Sequence, residues 1–237
     1  MTDTNTRRAK QRSSPSIFVI CLLAVIALAV YVSRSEASPS PGANDSYVLK
    51  LKYAAVPEQV TAVNDKQILY AQYSALFQQL RDWDWLSEQD RLAALTELAR
   101  MESAIHGISP PDAVSSGEME GSLQGFYRHA ERTIYISASL LQTGSMSSCV
   151  STLLHEFHHY WAHRLCELVD TSVGWNSPLA ATEVFDRARV WKMNMETYQT
   201  CEEAGFETYQ AQPLEADARA FAEAELIQIQ QLMQTAA

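Results

Sequence analysis

Sixteen consecutive apolar residues, Ile17 to Val32, divide this 237-residue chain into parts that cannot share one environment. As a helix the run is about 24 Å long, at about 1.5 Å per residue. The hydrocarbon layer of a bilayer is ~30 Å thick, and Tyr31 and Arg34 are suited to its interface. Residues 1–16 carry Arg7, Arg8, Lys10 and Arg12 against Asp3, a charge of +3. The whole chain has -10, so the remainder has -10 minus +3, or -13. Basic residues stay on the cytoplasmic side of a membrane. This predicts a cytoplasmic tail over 1–16, a transmembrane signal anchor over 17–33 and an exported remainder. The alternative is a cleavable signal peptide with Ser35-Glu36-Ala37 as its cleavage site, giving a secreted protein. The apolar run exceeds the usual ~7–15 residue signal core, which favours the anchor.

Residues 34–46 are rich in Ser, Pro and Gly and read as a solvated linker. Residues 47–237 then form one domain, helical over 47–110, with a chemical core over 120–237. Its fold class is α+β, mainly helical. A hydrophobic content of 47% excludes a disordered chain, and four cysteines are too few for a disulfide scaffold. The strong acidity argues against nucleic-acid binding.

Apolar spacing predicts one or two helices over Pro57 to Leu80, and another that starts at Ser87 and stops at Gly107 before Pro110-Pro111. Trp83 and Trp85 read as core or cap packing. Leu123 to His129 and Arg132 to Ser137 read as strands joined at Ala130-Glu131, Thr133-Ile134-Tyr135-Ile136 being β-branched and aromatic. A long helix follows from Met146 to Val169. Ser177-Pro178 opens another, closed by Gly205. Gln212-Pro213 opens the last, Leu214 to about Met233, with Glu215, Asp217, Glu223 and Glu225 on its surface.

Within the long helix stands His155-Glu156-Phe157-His158-His159. Two histidines four residues apart lie on one helix face, and their rings can converge on one cation with ~2.0–2.1 Å bonds. Glu156 is turned about 100° away, beside the cation, where it can take a proton from activated water. Leu153, Leu154 and Phe157 would face the core. His158 points elsewhere, and His163 is a nearby or surface residue. A catalytic site needs a third protein ligand. Glu215 is the best candidate, because alanines at 216, 218, 220 and 222 let its helix approach closely. Glu183 is the second.

These residues carry a resemblance. His155-Glu156-x-x-His159 after a strand, followed by Glu215-x-Asp217-Ala-x-x-Phe221-Ala222, looks like the gluzincin metallopeptidases, especially short single-domain bacterial and phage members. The resemblance spans roughly Thr133 to Ala222. It implies a zincin-like domain with a small sheet or hairpin before the active-site helix. It also implies Zn2+ held by His155, His159 and Glu215, and peptide or protein substrates cleaved with Glu156 as general base. Asp217 would orient His155 or His159, and Tyr198, Tyr209, Arg164 or Arg219 would stabilise the oxyanion. The strand Thr133 to Ser137, if at a sheet edge, would hold substrate by strand addition. In such a bacterium the domain would be periplasmic, tethered to the inner membrane. The competing reading is an inactive envelope scaffold with a structural metal site.

Cys149, Cys166 and Cys201 allow at most one internal bridge, and Cys166–Cys201 is the preferred pair.

Overall fold

The computed structural model describes residues 70–176 and 183–235. The expected tail, membrane anchor and linker, and the Ser177-Pro178 helix start, lie outside the described residues. Among the described residues no helix is long and apolar enough to cross a membrane.

The first helix, α1 (Ser74–Arg81), is followed by a 3-10 turn at Trp83–Trp85 and by α2 (Glu88–Ile105). Ser87 caps α2 by accepting a hydrogen bond from the Asp90 N–H. The periodic residues Leu95, Leu98, Met101 and Ile105 are buried. Gly107, at φ +64°, takes the chain out of the helix in a conformation that favours glycine. Trp83 is buried, but Trp85 is 90% exposed, so only the first tryptophan packs as expected.

Three strands form a sheet of order β1-β3-β2, from β1 (Ala113–Gly117), β2 (Gly125–Arg128) and β3 (Thr133–Ser137). β3 runs parallel to β1 and antiparallel to β2. It is therefore the central strand, so the edge position on which strand addition at Thr133 to Ser137 was conditional is not the one it takes. Ile134 and Ile136 are fully buried, as a central strand covered by helices requires. The hairpin between β2 and β3 turns through His129–Glu131, with Arg132 left-handed at φ +47°, a longer turn than Ala130-Glu131 alone.

A short helix, α3 (Ala138–Thr143), leads to the long α4 (Met146–Leu168), capped by Ser145 and continued by a π turn at Val169–Val173. Leu153, Leu154 and Phe157 are buried as expected. The chain continues with α5 (Glu183–Glu196), α6 (Cys201–Ala204), α7 (Phe206–Ala211) and α8 (Pro213–Thr235). The expected single helix up to Gly205 is corrected. α5 ends at Glu196, and Thr200 with Glu203 forms a capping box that starts a new helix. Gly205, at φ +78°, joins α6 to α7. α8 packs along α4, with Ala218 and Ala222 buried between them, while Ala220 is exposed. Glu215 and Glu225 are buried, correcting their placement on the helix surface.

Candidate metal centre

α4 carries His155 and His159 one turn apart, with their Nε2 atoms 3.1 Å from each other. Glu215 enters from the first turn of α8. Its Oε2 lies 3.3 Å from His155 Nε2, and its Oε1 lies 3.3 Å from His159 Nε2. Among the described residues these three form the one group of His, Cys, Asp or Glu side chains gathered closely enough to hold an ion. Glu183, the other candidate, opens α5.

The fit to a divalent cation can be tested on these distances. Tetrahedral bonds of ~2.0–2.1 Å place neighbouring ligand atoms about 3.4 Å apart. The observed separations of 3.1, 3.3 and 3.3 Å are of that size, the two to Glu215 ending on different oxygens of its carboxylate. Glu215 Oε2 is buried and faces His155 Nε2 at 3.3 Å without a well-aligned hydrogen bond. A buried carboxylate oxygen left unmatched costs stability unless something electropositive meets it. Two imidazoles and one carboxylate suit zinc chemically.

In the ion-free protein these groups polarise one another. Burial opposes charge on Glu215, but the His155 hydrogen bond, the His159 ring and the Tyr198 hydroxyl outweigh it and lower its pKa to about 2. Burial lowers His159 to about 4. Burial also acts to lower His155, yet its bond to Glu215 and the charges of Glu156 and Glu215 leave it raised.

Glu156 lies beside the triad and lines a cleft of about 330 Å3. Burial, reinforced by Glu215, raises its carboxyl to about 7, against the opposing effect of His155 and a hydrogen bond from the Tyr127 backbone N–H. The cleft wall includes Leu123, Phe126, Met195, Tyr198, Tyr209 and Leu214. β2 forms one border. Ser137 N–H donates to Gln124 O at 2.8 Å, so in the antiparallel alternation Gly125 and Tyr127 turn their backbone groups away from β3.

Several expectations are corrected. Asp217 does not orient His155 or His159. It accepts from Arg187 and, at 2.7 Å, from Trp191 Nε1, because it projects toward α5. Arg164 is engaged by Glu167, Arg219 donates to the Gln210 carbonyl, and neither lines the cleft. His158 is buried behind the site among Trp161, Trp191 and Phe221. His163 stacks on His129 at 4.2 Å and lines the cleft without joining the triad. All three described cysteines are free. Cys166 is buried against Ala188 while Cys201 is exposed on α6, so the expected bridge is absent.

Two residues at the site were not anticipated. Gly125 lets β2 lie directly on α4: a Cβ there would stand 2.7 Å from Thr152 Cγ2 and 3.3 Å from Glu156 Cγ. An isolated glycine in a strand pattern is the signal that marks such an approach. Gln212 is the second. It is buried and ties Gln199, Tyr209 and Asn194 together, and nothing in its sequence context announces this.

No protein-family model, curated protein or solved structure matches the chain. The functional reading rests on the site alone.

Proposed function

We propose that the protein is a zinc-dependent peptidase of the gluzincin type. The observation that supports this best is the meeting of His155, His159 and Glu215 at 3.1–3.3 Å beside a buried acid in an open cleft. His155 and His159 would bind through Nε2 and Glu215 through a carboxylate oxygen. The cation supplies Lewis acidity toward a scissile carbonyl and toward water. Glu156 accepts the proton of the attacking water on its carboxylate and returns it to the leaving amine nitrogen. The Tyr127 N–H holds that carboxylate in place. An extended peptide would pair with the free edge of β2, not with β3, through the backbone groups of Gly125 and the carbonyl of Tyr127. The apolar wall of Leu123, Phe126, Met195 and Leu214 excludes bulk water and favours peptide side chains. We place the domain outside the cytoplasm, tethered through residues 17–33. The alternative of a structural metal site gives Glu156 no task, although holding an acid there is costly.

The test is zinc content and peptide hydrolysis by the full-length chain and by Glu156→Gln. The variant is expected to keep its zinc and to lose hydrolysis by about 10²–10⁴-fold, the usual contribution of a general base. Equal rates in the two proteins would refute the mechanism.

A further inference from the structure

The geometry points to Tyr198 as a positioning residue that orients Glu215 for the cation, an assignment that rests on the metal-centre reading above. The Tyr198 hydroxyl donates to Glu215 Oε1 at 2.6 Å. A phenol has one proton, and this one is already given to the carboxylate. Tyr198 therefore does not serve as the oxyanion donor that its residue type suggests. Its hydrogen bond instead occupies Oε1 and leaves Oε2, which faces His155 Nε2 at 3.3 Å, as the oxygen turned to the ion position.

The contact is built rather than incidental. Tyr198 lies between α5 and α6, and its neighbour Gln199 exchanges two bonds with buried Gln212. The Gln199 N–H donates to Gln212 Oε1 at 3.0 Å, and Gln212 Nε2 donates to the Gln199 carbonyl at 2.8 Å. Gln212 Oε1 also accepts from Asn194 Nδ2 at 3.2 Å, and Asn194 Oδ1 accepts from the Leu214 N–H at 3.0 Å. Leu214 precedes Glu215. One buried pair of amides, Asn194 and Gln212, thus registers the phenol against the acid that it holds. Hydrogen-bond partners behind a metal ligand fix its orientation in this way, and their loss costs affinity for the ion.

The experiment measures the Zn2+ dissociation constant of the full-length chain by chelator competition. Tyr198→Phe keeps the ring and removes the bond. It is expected to weaken zinc binding by about 10- to 100-fold. In a Glu215→Ala background, Tyr198→Phe should have no further effect, because the phenol acts through the carboxylate. Unchanged affinity in Tyr198→Phe overturns the assignment. So does an undiminished loss in the Glu215→Ala background, since that outcome assigns the effect to packing of the segment. A parent chain that binds no zinc overturns the metal-centre reading itself, which separates the two failures.

Discussion

α4 presents histidines to two different surroundings. On the cleft side, His155 and His159 meet Glu215, and Glu156 reaches open space. On the opposite side, His158 is deeper still but meets aromatic rings, and its Nδ1 has no hydrogen-bond partner. Burial lowers the pKa of both His158 and His159, so burial does not separate the two sides. The difference lies in an acid partner and an opening. The back of the helix is organised for packing, and its front keeps charges that packing alone would not favour.

The sharpest way to break this contrast is to exchange the two sides. His159→Phe should abolish stoichiometric zinc and hydrolysis with it. His158→Phe should keep both, and its unfolding free energy should stay within about 1.5 kcal/mol of the parent, as for a volume-conserving core change. Zinc analysis and urea unfolding check this pair, and loss of zinc in His158→Phe would erase the distinction.

A smaller effect is expected at Gly125. Gly125→Ala must push β2 away from Thr152 and Glu156. Misplacement by about 1 Å can cost on the order of 10²-fold in rate, so kcat/KM should fall on that scale while zinc content is unchanged. Hydrolysis at the parental rate would mean that the strand does not position the acid.

The front of the helix should also be the less stable side at neutral pH. The Glu156 carboxyl ionises at about 7 in the ion-free fold against an ordinary 4.5. Between these values the folded state holds a proton that the unfolded chain has released. The contribution of this one group therefore declines as pH rises from about 4.5 to about 7, by on the order of 3 kcal/mol, while the lowered His159 contributes in the opposite sense over a similar range. Glu156→Gln removes the penalty, so it should stabilise the ion-free protein at pH 8 and do so far less at pH 4.5. Urea unfolding at the two pH values is the measurement.

The smallest effect belongs to Asp217→Ala. It breaks a half-exposed ion pair with Arg187 and the bond to Trp191, at a cost of about 1 kcal/mol. Zinc affinity should not change, which a chelator titration can verify.

What the sequence made legible was local. Histidines four residues apart meet because of helix geometry, and Ser87 marks a helix start by a bond within its own turn. The mainly helical α+β class follows from patterns of the same kind. Glu215 was legible as the third member of the triad because Pro213 fixes the start of α8 and the alanines allow close packing, but its burial depends on α4 lying across it. β1 was not legible. Ala-Val-Ser-Ser-Gly has no alternation, and it becomes a strand only by pairing Ala113 with Thr133. That pairing also moved β3 from edge to centre. The course of residues 197–212 was hidden for a similar reason, because it is set by the side-chain bonds of Gln212 to distant backbone. The early end of α5 then carried Cys201 away from Cys166. Asp217 was assigned by its nearness in sequence to Glu215, yet two residues along a helix point in different directions.

The triad draws on only two helices, and 56 positions separate His159 from Glu215, since 215 minus 159 is 56. A cation there would be a removable cross-link closing a long loop, and its binding energy would count toward holding α4 and α8 together. Chelation would then do more than silence the protein: it would unpin the helix pair, leave the domain easier to melt and make its heat resistance depend on the zinc supply around it.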